Sequence, residues 1–367
     1  MTPASPVALA NGGHVLARRR LGRTTVEVTT LGFGGATIAG TAGRVPEQQA
    51  AATLEAAWDA GLRYFDTAPW YGRGLSELRV GRLLRERPRD EFVVSTKVGR
   101  ILRAPRDTAS FDSAPWPGGL PFEVQFDYSY DGILRAYEDS LQRLGLARID
   151  LAIVHDLDLG VHQPEARWHA HMAQLITGGW RALDQLRAAG VVGGIGVGIN
   201  PVGMIPRFLE LFDPDFFLLA GRYTLMEQDT LTAELPACLE RGVGIVIGAV
   251  FNSGLLATGP VAGARYDYRE ATPDRLDKAG RIQTVCQRYG VPLVAAALQF
   301  PLGHPAVATV IPGPVTPEQV QLNLAGVCHP IPAELWRELK AEELIRGDAP
   351  TPPEGVALHA RQAVRAS

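Results

Sequence analysis

The sequence predicts an α/β fold in which eight parallel strands close into a (β/α)8 TIM barrel, with an N-terminal β-hairpin and long strand-to-helix loops. Eight short apolar runs carry that reading, at 31–34, 63–65, 92–96, 149–154, 192–198, 216–219, 244–247 and 307–311. Most are separated by segments with helical apolar spacing, which implies parallel strands joined by right-handed crossovers. No shift in composition marks a second domain, and eight such units over about 300 residues suit a closed barrel. A doubly wound open sheet is the alternative, because Gly194-Ile195-Gly196-Val197-Gly198 follows a strand as a dinucleotide fingerprint would. A full G-x-G-x-x-G needs glycine where Ile199 stands, so the run is read as a close-packed strand end.

Each element has a local reason. Residues 1–17 are Ala/Pro/Gly-rich without periodicity and are expected to be flexible. Residues 20–24 and 26–29 alternate around a turn, as a hairpin does. Helical spacing covers 47–60, stopped by Gly61, and then 77–85. Residues 99–130 break the rhythm with Pro, Gly and aromatics, and read as a loop over the mouth of a site. Helices are expected at 131–144 with Asp131 as N-cap, and at 168–189, 201–211, 231–241, 274–289 and 292–300. A last helix at 317–324 precedes a polar tail, which divides the chain into 1–17, a barrel over 18–340, and a tail over 341–367.

The bulk numbers narrow the function. The chain has 367 residues, 46% of them hydrophobic and 20% charged, with a formal net charge of -3, an ordinary globular balance. Slight acidity argues against a nucleic-acid partner, and Arg18-Arg19-Arg20 reads as a solvated edge. Cys238, Cys286 and Cys328 form neither a disulfide framework nor a ligand pattern, so no metal and a reducing compartment are expected. No run is long and apolar enough for a bilayer, and a cytoplasmic chain acting on a small molecule is the expectation.

Chemistry concentrates at strand ends. Asp66 closes the second apolar run, Tyr71 follows in a Pro/Gly loop, Lys97 closes the third and His155 the fourth. Singly, each has an ordinary alternative: a turn carboxylate, a half-buried aromatic, an exposed lysine, a structural histidine. In a barrel these ends converge on one face, and together they suit proton transfer to or from a carbonyl or hydroxyl oxygen. A free tyrosine titrates near ~10, and a neighbouring ammonium is expected to lower that value. Asp66 would keep Lys97 charged, and His155 would orient the substrate oxygen.

From about Arg20 to Leu324 the chain resembles the aldo-keto reductases, through Phe65-Asp66-Thr67-Ala68, Tyr71-Gly72, Lys97 and Val154-His155-Asp156. The resemblance implies reversible hydride transfer between a nicotinamide and a carbonyl/alcohol pair, with Tyr71 as general acid or base. It places Asn200 at the carboxamide, Tyr223 under the nicotinamide ring, and Asn252-Ser253-Gly254-Leu255 over the pyrophosphate. Gly313, Gln319 and Asn323 fall in the adenosine segment. Members that prefer NADP carry cations at the places of Gly313 and Gln319, so NAD is expected and NADP remains possible. The segments 219–228, 251–257 and 155–158 resemble the branch of L-fucose (D-threo-aldose 1-) dehydrogenase, near pyridoxal 4-dehydrogenase and L-galactose dehydrogenase. That branch implies oxidation of an anomeric carbon to a lactone, with pyridoxal oxidation or general aldehyde reduction as alternatives. Trp70, Tyr71, His155, Trp116 and Asn252 are the substrate-pocket candidates by position. A cofactor-binding barrel without catalysis, and a Schiff-base aldolase acting through Lys97, are readings from other classes.

Overall fold

A computed structural model describes residues 14–41, 43–353 and 359–361. Eight strands form one sheet in chain order: β1 (Phe33–Gly34), β2 (Tyr64–Asp66), β3 (Val93–Val98), β4 (Leu151–His155), β5 (Gly194–Ile199), β6 (Phe216–Ala220), β7 (Gly244–Gly248) and β8 (Val307–Ile311). All neighbouring pairs run parallel. A bridge between Leu31 and Val310, with Gly34 N donating to Pro312 O at 2.9 Å, joins β1 to β8 and closes the barrel. The open-sheet alternative is thereby excluded.

The glycine run of β5 is close-packed, as expected. A Cβ on Gly196 would collide with the Phe216 ring, which fills the barrel interior beside Leu151, Ile153, Leu218 and Val246. The hairpin Arg18–Arg20 with Glu27–Thr29 shuts the N-terminal end. There Gly22 adopts φ 55 and lies so near β7 that a Cβ would stand 2.5 Å from Gly244 N. Leu21 and Val28 on this hairpin join the interior cluster.

Several expectations need correction. Residues 99–130 are not a plain loop: Arg100–Arg103 pairs antiparallel with Glu123–Phe126, and the excursion lies between them. The helix Tyr130–Leu144 is capped by Ser129, whose Oγ accepts from Gly132 N at 3.1 Å. Asp131 is its second residue and has no capping role, because the chain turns helical one residue before it. The segment 168–189 begins earlier, at Glu165, and contains a π turn over Leu175–Gly179. The helix Pro317–Cys328 is longer than expected, and another helix, Ala333–Ala341, follows it. Beyond it Leu344, Ile345 and Ala349 are buried in the core, so 341–367 is not uniformly a polar tail. Residues 1–13 lie outside the described residues, whereas His14–Leu16 pairs with His359–Arg361. Among the described residues no helix is long and apolar enough to cross a membrane.

The Gly196 contact yields a direct test. Gly196→Ala should lower stability by about 1–3 kcal/mol through overpacking of the barrel interior, read from the urea midpoint. An unchanged midpoint would mean that Phe216 has room to move.

Candidate active site

Side chains along a strand alternate between the two faces of the sheet. In β2, Tyr64 points into the barrel and Phe65 into the helix layer. Asp66 therefore shares the inward parity of Tyr64. In β4, Leu151 and Ile153 point inward, and His155 continues their row. Lys97 pairs in register with Ile153, and Ser95 with Asp66. Strand period and register alone thus gather Asp66, Ser95, Lys97 and His155 at the C-terminal mouth.

The contacts follow. Lys97 Nζ donates to Asp66 Oδ2 at 2.7 Å and to Thr67 O at 2.9 Å. Ser95 Oγ donates to Asp66 Oδ1 at 2.7 Å and lies 3.0 Å from the Tyr64 hydroxyl. Burial pushes the Asp66 carboxyl up, and Lys97 and Ser95 pull it back. The Lys97 ammonium faces the Tyr71 ring, 4.6 Å from its centroid, and that ring stands perpendicular to His155 at 5.7 Å. The four expected catalytic residues therefore share one site.

Their electrostatics differ from expectation in one respect. The Tyr71 phenol is held well above its ordinary value by desolvation, then by Asp66 and Asp156. The expected lowering fails because Asp66 stands beside Lys97 and burial penalises the phenolate. His155 is held well below its ordinary value by burial, Arg100 and Lys97, so the ring is neutral.

Residues that sequence reasoning missed complete the mouth. Arg100 is buried, donates to Asp156 Oδ2 at 2.7 Å, and lies 5.2 Å from the Trp70 ring. Arg73, at φ 55, donates to the carbonyls of Ala114 and Phe122 and so clamps the 104–122 excursion. That excursion lays Trp116 against Trp70 at 5.7 Å and Tyr71 at 5.8 Å. Trp116 is buried with an unpartnered indole N–H. Tyr128 donates to His155 O at 2.8 Å and fits only because residue 99 is glycine, where a Cβ would strike its ring. An Arg two or three residues beyond a candidate catalytic position, as Arg73 after Tyr71 and Arg100 after Lys97, carries no spacing signal, so only the fold reveals it.

The cofactor candidates divide. Asn252 is buried at φ 46, donates to Gly221 O at 3.2 Å and leaves its Oδ1 without a partner. Ser253 and Gly254 continue the left-handed turn into Leu255. The N–H groups of Asn252, Gly254 and Leu255 are already engaged inside this turn, which leaves fewer for a phosphate than expected. Asn200 Nδ2 donates to Asp156 Oδ1 at 3.0 Å. Tyr223 is a correction: Gly221 at φ 68 turns the chain outward. The ring is then fully buried against Phe300 and His304, with no open face for a nicotinamide. Gly313 packs on Thr37, where a Cβ would stand 2.6 Å from Oγ1. Gln319 is exposed and its Oε1 accepts from Val315 N, while Asn323 is buried in the same helix. Among the described residues no cluster of His, Cys, Asp or Glu could hold a metal ion.

The buried pair predicts a measurable coupling. Asp66→Asn should cost about 3 kcal/mol, because it strands the Lys97 charge. Adding Lys97→Met should recover part of that loss in a double-mutant cycle. Additive losses would show that the two groups do not sense each other.

Comparisons with known proteins fit this geometry. Residues 30–343 match the family model described as the aldo/keto reductase family. The chain is 43% identical to pyridoxal 4-dehydrogenase of Microbacterium luteolum, over 89% of this chain and 98% of that one. It is 41% identical to D-threo-aldose 1-dehydrogenase of a Pseudomonas species, over 89% and 96%. Among solved structures, an aldo-keto reductase of Bacillus halodurans in its holo form superposes with a TM-score of 0.69 at 25% identity, covering 90% of this chain and 97% of that one. With barrel, inward-facing tetrad and family match in agreement, the chain belongs to the aldo/keto reductase family and is an oxidoreductase.

Proposed function

We propose that the chain oxidises the anomeric carbon of a cyclic hemiacetal to a lactone, with L-fucose or a related D-threo-aldose as substrate and NAD as acceptor. The observation that carries this reading is the Lys97–Asp66 pair beneath the Tyr71 ring, beside a neutral His155. Tyr71 in its phenolate form would take the hydroxyl proton and become the neutral phenol, and Lys97 would stabilise that phenolate before the transfer. His155 orients the substrate oxygen without adding charge. A bound nicotinamide would supply the hydride acceptor.

The residues present fit such a cofactor in part. The orphaned Oδ1 of Asn252 is a buried acceptor with no partner among the described residues, as a site for a polar group requires. Asn200, Ser253, Gly254, Leu255, Gly313, Gln319 and Asn323 remain the other candidate contacts. Two facts favour NAD over NADP: Thr37 leaves no space for a side chain at position 313, and Gln319 brings no positive charge to a ribose 2′-phosphate. Trp70, Trp116 and the sugar-compatible polar edge of Asn252 form the proposed substrate wall.

Pyridoxal in its hemiacetal form is the second reading. It is favoured by the Trp70–Trp116 aromatic wall and by the 43% identity to a pyridoxal 4-dehydrogenase. Both substrates use the same proton path and give a lactone. Initial rates with L-fucose and with pyridoxal, each with NAD and NADP, decide between them. Turnover of pyridoxal alone would move the function to that substrate, and an NADP preference would overturn the reading of Gly313 and Gln319.

Because the Tyr71 phenol is pushed up, its ionised form is scarce at neutral pH. The oxidation rate should therefore climb from pH 7 to about 9 or beyond. A rate that falls over that range would count against Tyr71 as base. Tyr71→Phe should lower kcat by about 10²–10⁴ while cofactor binding survives, which a binding-only barrel would not show.

A further inference from the structure

The proton transfer described above gives Asp156 no task, yet the structure holds it in place on every side. Its backbone lies at φ 44, a conformation that costs energy for a residue with a side chain. Its N–H donates to Gly198 O at 2.9 Å. Oδ1 accepts from Asn200, Oδ2 accepts from Arg100, and Oδ2 also lies 3.3 Å from His155 Nε2. Three neighbours from two segments thus hold one carboxylate 3.3 Å from the histidine ring nitrogen.

An ionised carboxylate only accepts hydrogen bonds, so the ring nitrogen nearest it, Nε2, is favoured in its N–H form. A neutral imidazole carries one hydrogen. His155 Nδ1 is buried and has no partner among the described residues, so none of them competes for it on that side. Any hydrogen bond that the ring offers to a substrate then runs through Nε2. A lone carboxylate beside a histidine would also draw a second proton onto the ring. Arg100 opposes that. Its guanidinium is buried between the rings of Trp70 and Phe126, 5.2 Å from each, and its charge falls on Asp156 and His155 together.

We propose that Asp156 is a positioning residue that holds His155 as the neutral Nε2–H tautomer, and that Arg100 is the counter-charge that keeps a second proton off the pair. The other charged or titratable groups around the ring are Lys97 with Asp66 and the phenol of Tyr71, while Asp158 and Tyr268 act on Asp156. The kinetic consequence rests on the function proposed above. The tautomer itself does not.

The test is nitrogen–proton correlation NMR on the full chain labelled at histidine, without cofactor, with His155→Gln identifying the signals. The wild type should show His155 neutral and protonated on Nε2 from about pH 6 to 8. Asp156→Ala should give a mixture of tautomers. Arg100→Gln should raise the pH at which His155 protonates by roughly 1 unit or more, and Arg100→Lys should restore it. An Nδ1–H ring in the wild type, or an unchanged tautomer in Asp156→Ala, would overturn the proposal. Should Arg100→Gln fail to fold, the tautomer in Asp156→Ala decides alone. In turnover assays the acid limb of kcat should move upward in Arg100→Gln. Absence of turnover by the wild type with either hemiacetal would remove the proposed function and leave the NMR result standing.

Discussion

The structure of the mouth depends on burying the Lys97 ammonium. Moving an ion of that size out of water costs several kcal/mol even after relaxation, and attraction to one carboxylate repays this only with good geometry and further hydrogen bonds. The barrel supplies both. Asp66 stands on the neighbouring strand in register with Ser95, Thr67 O accepts a second Lys97 hydrogen, and Ser95, itself bonded to the Tyr64 hydroxyl, donates to the other carboxylate oxygen. None of these groups could move to the helix layer without a one-residue slip, which would turn every side chain of the strand to its other face. The inward parity of β2 and β3 is therefore a condition for the chemistry as well as for the core.

That dependence explains what was legible in the sequence. The eight strands were legible because each is a short apolar run bounded by turns, and parity then placed Asp66, Lys97 and His155 on one face. The glycine run of β5 was legible as packing, since glycine in a strand marks a close approach. Arg100 and Arg73 were not, because their partners lie on segments that only the folded chain brings near, Asp156 for one and the 104–122 excursion for the other. The Ser129 cap was missed since Ser and Asp stand two residues apart and both suit the role. Tyr223 misled for a related reason: a tyrosine after a strand end has a position in the sequence but no direction until Gly221 sets it.

Backbone conformation does the remaining work at the mouth. Gly72 and Arg73 both take left-handed conformations directly after Tyr71, which turns Arg73 toward the excursion and lets Gly72 O accept from Leu120 N. Gly99 takes φ 94 after Lys97 and leaves the space that Tyr128 fills. Tyr128 in turn carries hydrogen bonds to His155 O and His162. The excursion is thus tied to the ends of β2, β3 and β4 at once, so that Trp116 is held over Tyr71 by fixed contacts at its root.

The sum of these contacts fixes the charge of the site. Lys97 is matched by Asp66 and Arg100 by Asp156, two cations against two anions. Burial meanwhile favours the uncharged forms of Tyr71 and His155. The mouth thus pairs each of these cations with a carboxylate and adds the buried Asp158 beside Asp156, so shape, aromatic faces and individual hydrogen bonds act there alongside charge. It also leaves room for one proton to move. In the proposed reaction, a proton passing from an uncharged hydroxyl group to the Tyr71 phenolate leaves both ion pairs unbroken. The neutral hemiacetal proposed as substrate meets that condition, and it would be served by the same pairing that makes the lysine tolerable in the barrel.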